Sequence, residues 1–160
     1  MQNLIEQFML EHQITGLTLA ITHQGKPKSV QAFGSRCAAN SDPMQLDTLV
    51  RIASVAKPIT AALVLRLHEL GRIELERTAC SYLSSDILPA SVKIDSQMKT
   101  VTVRQLLHHC GGWDRAVSPW RDPMFKNQEI AKRLEVTPPV SVEAIIEFML
   151  KQPLDFTPGD

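Results

Sequence analysis

The stretch Asp47-Thr48-Leu49-Val50-Arg51-Ile52-Ala53-Ser54-Val55-Ala56-Lys57-Pro58-Ile59-Thr60-Ala61 decides how the rest of the sequence is read. From Ile59 to Leu70 the chain is apolar on nearly every face, which predicts a buried helix rather than a surface one. Gly71 stands where a helix C-cap belongs. Pro58 locates the other end. A proline inside a helix removes a hydrogen bond, but the first four N–H groups of a helix have no intrahelical partner. A proline in the first turn loses none, so the helix is expected to begin near Ser54.

Ser54 and Lys57 are then candidate catalytic residues. On a helix, residues three apart lie on one face, so the serine of the first turn can meet the lysine one turn later. Serine is a poor nucleophile and needs a neighbouring base. A lysine with an ordinary pKa of about 10.4 is charged and cannot accept a proton. Burial beside an apolar helix would push that pKa down, toward a usable base. The helix N-terminus adds backbone N–H groups and a partial positive charge that favour a developing oxyanion. The spelling Ser-x-x-Lys recurs at Ser96-Gln97-Met98-Lys99. That copy lies in a polar stretch just before an expected helix rather than at the start of one, and is read as coincidental.

Outward from this stretch, the pattern is α+β. Leu4, Ile5, Phe8 and Met9 draw an amphipathic first helix ended by Gly16. Leu17 to Thr22 reads as a mostly buried strand, Gln24-Gly25-Lys26-Pro27 as a turn, and Ser29 to Phe33 as a returning strand. Cys37 to Pro43 is small and polar, a loop. Arg72 to Leu83 has no decisive pattern, and a polar connection covers 84–100. Thr102-Val103-Arg104-Gln105 has the form of a capping box, so a helix is expected from there to about His109, stopped by Gly111-Gly112. Trp113 to Pro139 has no clear period. Ser141 can cap a last helix, Val142 to Gln152, with Ile145, Ile146, Met149 and Leu150 inward and Pro153 beyond it.

The 160 residues suit one domain with a real core. Apolar residues make up 44% and charged residues 21%, as in ordinary globular proteins. Seventeen basic residues balance seventeen acidic ones, which gives no pull toward nucleic acid or anionic membranes. No apolar run approaches the roughly 20 residues of a membrane span. The segment Met1 to Glu6 has neither a basic cluster nor an apolar core, so it does not read as a signal peptide and favours a cytoplasmic location. Cys37, Cys80 and Cys110 are odd in number and widely spaced, the pattern of three free thiols.

The run Asp47 to Ala61 closely resembles the nucleophile region of class C β-lactamases, D-alanyl-D-alanine carboxypeptidases and related esterases. Leu67-His68-Glu69-Leu70-Gly71-Arg72-Ile73 is similar to the end of that family's nucleophile helix. Thr102 to Trp113 looks like its next recurring block, and Pro153-Leu154-Asp155-Phe156-Thr157-Pro158-Gly159 like a further one. Four blocks in family order span nearly the whole chain.

The resemblance implies the N-terminal part of a β-lactamase/transpeptidase-like fold over residues 1–160. A helix and edge hairpin would occupy 1–35, the nucleophile helix region 47–71, and a mostly helical subdomain 72–160. It implies acyl transfer: Ser54 would attack a small acyl substrate (a β-lactam, a D-Ala-D-Ala peptide or an ester), with Lys57 as proton acceptor and no metal or organic cofactor. The family's second motif, Tyr-x-Asn, is not matched, because the single tyrosine is followed by Leu83-Ser84. Its third, Lys-Thr-Gly or His-x-Gly on a strand, is spelled by His109-Cys110-Gly111, which closes an expected helix instead. The expected fold is therefore incomplete. A catalytically inactive fragment, or a non-catalytic binding module, stands as the alternative to the hydrolase.

Two further groups invite a functional reading. His108-His109-Cys110 could be imagined as metal ligands, but adjacent helical residues point about 100° apart and no second ligand pair has a zinc spacing. Trp113, Trp120 and Phe125 could line a substrate rim; packing is the expected role.

Overall fold

The computed structural model describes residues 2–39, 42–85, 87–88 and 92–160. Parts of the expected loop 37–43 and of the connection 84–100 lie outside the described residues. The chain forms two compact units, Met1–Ser54 and Val55–Asp160.

In the first unit, helix α1 (Gln2–Glu11) precedes an antiparallel hairpin of β1 (Gly16–His23) and β2 (Lys26–Gly34). The register runs from Gly16 opposite Gly34 to His23 opposite Lys26, with an irregularity between Ile21 and Thr22. The two strands form where the sequence places them, but β1, expected to be mostly buried, has no buried residue, and β2 takes in Lys26 and Pro27 of the expected turn; α1 stops five residues short of Gly16, which instead begins β1. Only Met9 of α1 is buried; Ile5 is half-buried, and Leu4 and Phe8, the other half of the expected apolar stripe, are exposed. Gly16 and Gly34 are glycines because the backbones nearly touch there. A Cβ on Gly16 would collide with the Ser35 carbonyl, and one on Gly34 with the Thr15 carbonyl and the Met9 methyl. Gly34 also sits at φ 71°, a conformation glycine adopts without strain. Ser35 N donates to Thr15 O and Met44 N to Gly34 O, closing the same crossing.

The second unit is helical. Helix α2 (Ala56–Glu69) is followed by α3 (Val103–Leu107), α4 (Asn127–Leu134) and α5 (Val142–Leu150). The expected caps form. Thr102 Oγ1 accepts from Gln105 N while Gln105 Oε1 accepts from Thr102 N, and Ser141 Oγ accepts from Ala144 N. Gly71, at φ 68°, follows α2 with its N–H on His68 O. Helix α4 falls within the stretch read as irregular, and both α3 and α5 end two residues earlier than expected.

Two apolar clusters hold this unit. Ile130, Ala131, Val140 and Phe148 form one, with Trp120, Leu134, Ala144, Ile145 and Met149 around it. Met98, Val101 and Leu150 form the other, with Cys80, Leu83, Trp113, Ile146 and Leu154 among its neighbours. Phe148, not singled out in the sequence, is the buried aromatic of α5.

The expectation of a buried α2 is corrected. No residue of α2 is buried, and Ile59 and Leu63 are 65% and 59% exposed. An apolar surface on every side implies that something must cover the helix, but composition cannot say whether nearby residues will do so.

Two predictions follow from this packing. Gly34→Ala is expected to destabilise more than Gly25→Ala. Gly25 has φ 73° but open space around it, so alanine there should cost about 1 kcal/mol. At Gly34 the collision should add about 1–3 kcal/mol. Urea unfolding midpoints measure both, and equal losses would contradict the steric account. The second concerns the thiols. Burial pushes the Cys80 thiol up, against smaller opposing effects of a backbone hydrogen bond and Lys99. Thiolate is the reactive form, so near neutral pH Cys80 should react with Ellman's reagent after the exposed Cys37. Reaction of Cys80 at the rate of Cys37 would contradict its burial.

Candidate functional site

Ser54 lies in a 3-10 turn, Ala53–Val55, which runs into α2. Lys57 is the second residue of α2 and Pro58 the third. The helix thus begins two residues after Ser54, close to the sequence expectation. The N-cap residue of α2, Val55, offers no capping side chain, and Thr60 Oγ1 donates to Ala56 O within the first turn. Ser54 and Lys57 are both exposed. The burial that the sequence reading invoked to make Lys57 a base is therefore not provided among the described residues. Ser54 closes the first unit and Lys57 belongs to the second.

Ala53, immediately before Ser54, has φ 44°. A non-glycine residue in the left-handed region costs of order 1–3 kcal/mol, and such strain concentrates at functional sites. Nothing in the sequence marks it, because alanine has no preference for that conformation.

The remaining candidates take structural places. Ser96 and Lys99 flank the start of a three-residue 3-10 turn, Met98–Thr100, and not a helix. Tyr82 is structural: its hydroxyl accepts from Glu74 N at 2.8 Å, and the Arg77 guanidinium stacks 5.3 Å from its ring centre. His108 and His109 are exposed, with His109 at φ 61° just past α3. Among the described residues no three potential ligands converge on a metal position. Trp113 and Trp120 pack into the two clusters, whereas Phe125 is 71% exposed.

The later sequence blocks are joined by backbone hydrogen bonds. Arg104 N donates to Leu75 O, Val103 N to Arg77 O and Ala79 N to Val101 O, which ties the segment after α2 to the start of α3. Asp155 N donates to Gly112 O at 2.7 Å, Gly159 N to Cys110 O at 2.9 Å, and Asp114 N to Asp155 Oδ2 at 2.9 Å. The Pro153–Gly159 stretch is thereby held against the Gly111-Gly112 turn.

The β-lactamase family model matches residues 1–160. Esterase EstB of Burkholderia gladioli is 26% identical over 154 residues, covering 96% of this chain and 38% of its own length. Penicillin-binding protein 4 of Amycolatopsis lactamdurans is 29% identical over 112 residues, 69% of this chain and 28% of its own. Among solved structures, EstCE1, a hydrolase with promiscuous acyltransferase activity, superposes with a TM-score of 0.71 at 23% identity, over 99% of this chain and 40% of that one. D-alanine carboxypeptidase AmpC from Burkholderia cenocepacia gives 0.64 at 25% identity, over 97% and 35%. The chain spans less than two fifths of the length of these curated relatives, and its hairpin and helices are an α+β portion of their fold. It belongs to the β-lactamase family.

Proposed function

We propose that this chain is a serine acyl hydrolase that works through an acyl-enzyme on Ser54. Ser54 Oγ attacks the carbonyl carbon of a β-lactam, a D-alanyl peptide or an ester, while Lys57 Nζ in its neutral form takes the hydroxyl proton. The tetrahedral oxyanion draws on the Ser54 N–H as one donor. Collapse expels the amine or alcohol, which takes up the proton, and water then releases the acyl group. The observation that supports this reading is the position of the pair: a serine in the turn that leads into α2, and a lysine three residues on, in the first helical turn. The left-handed Ala53 beside the serine agrees with a constrained nucleophile.

A second reading is favoured by the exposure of α2 and of Lys57. In it, the 160 residues are a fragment or binding module that supplies the nucleophile without turnover. Labelling with a fluorophosphonate or a fluorescent penicillin separates the two. The hydrolase reading expects labelling that disappears in Ser54→Ala and slows by about 10²–10⁴-fold in Lys57→Ala, the usual contribution of a general base. A chain that is folded by circular dichroism yet takes no label supports the second reading. Label that survives Ser54→Ala rejects the proposed nucleophile.

A further inference from the structure

Six non-glycine residues among those described have positive φ: Gln13, Gln24, Ala53, His109, Asp122 and Glu135. Four stand where a left-handed residue is ordinary. Gln13, His109 and Glu135 follow the ends of α1, α3 and α4, and Gln24 precedes Gly25 in the hairpin turn. Asp122 leads into a 3-10 turn, and its carboxylate is held by Arg115. Aspartate is also among the residues that tolerate this conformation. Ala53 has none of these grounds. It stands before a helix rather than after one, at φ 44°, and its side chain can make no local hydrogen bond. Ala53 is exposed, so burial among the described residues does not account for its methyl group either.

The effect of the conformation is local. The planar peptide that joins Ala53 to Ser54 carries the Ser54 N–H, and the dihedrals of Ala53 set its direction relative to the incoming chain. A right-handed Ala53 would carry the helical run backwards. In a continued helix the N–H at position 54 is directed at the carbonyl four residues earlier, that of Val50. A left-handed residue cannot belong to such a run. Val55, right-handed at φ −64° and ψ −18°, already follows the helical course. The reversal of hand therefore falls next to Ser54. Glycine would adopt the same φ without cost, but it would leave the turn loose; the Cβ of alanine narrows the left-handed region and so holds the turn.

We infer that Ala53 is a positioning residue: its left-handed backbone fixes the direction of the Ser54 N–H and hydroxyl at the point where the helical ladder begins. The inference rests on the acyl-enzyme reading of Ser54. Ala53 itself touches no reacting atom and acts only through the serine that follows it.

Asparagine and threonine are similar in size and both polar, but asparagine tolerates the left-handed region and β-branched threonine does not. Bulk beside the serine is thereby held nearly constant while the backbone preference changes. The full chain and its Ala53→Asn and Ala53→Thr variants are labelled with a fluorophosphonate, and the second-order rates are compared on protein that is folded by far-ultraviolet dichroism. Ala53→Asn should keep a rate near that of the wild type. Ala53→Thr should label about tenfold more slowly, the rate equivalent of the left-handed penalty on a residue that bears a Cβ. A merely structural role would move the urea midpoint and leave the rate of the folded chain unchanged. Equal rates for the two variants, fast or slow, would overturn the inference while leaving Ser54 as the nucleophile. A wild-type chain that is folded yet takes no label would overturn the reading of Ser54, and this inference with it.

Discussion

Phe148 and Leu150 lie two residues apart on α5, about 200° around the helix, and each enters a different apolar cluster. Helix α5 is thus buried on two sides and is the wall the clusters share. Through Phe148 it holds Trp120 and α4; through Leu150 it holds Met98, Val101 and the neighbours Trp113 and Leu154. A helix with one apolar stripe could close only one of these. Trp113, Trp120 and α4 are held in place through this double burial.

A second constraint acts on the backbone. The Gly112 carbonyl accepts from Asp155 N and more distantly from Phe156 N, and a Cβ on Gly112 would overlap the Leu154 side chain. Together with Gly159 N on Cys110 O, these bonds dock residues after α5 onto the turn after α3. Chain segments over forty residues apart meet here with few side chains involved. Backbone pairing of this kind tolerates sequence change while keeping geometry, in keeping with a fold shared at 23–25% identity with EstCE1 and the carboxypeptidase.

The Ser54–Lys57 stretch sits at the head of a helix whose apolar sides are exposed. Nucleophilic serine chemistry needs water kept away and a lysine able to lose its charge, and both require burial. A left-handed residue precedes Ser54 and a proline-bearing first helical turn follows it, whereas burial of the stretch is not supplied by the described residues.

The sequence by itself determined what depends on neighbours along the chain. The capping box at Thr102 and the serine cap at Ser141 are short-range hydrogen bonds; the hairpin follows from a glycine-containing turn between strand-forming runs; the Ser54, Lys57 and Pro58 spacing places the pair at a helix start. Helix α4 was illegible because it lacks such signals: no side chain caps it, and it ends at Glu135 with φ 55°, where glycine would have announced the stop. Only the tertiary structure decided which apolar faces find partners. Ile59 and Leu63 are as apolar as Ile130 and Phe148, yet the first pair is exposed and the second buried. Hydrophobicity states that a face gains by being covered; which segment covers it depends on long-range packing that no local pattern encodes.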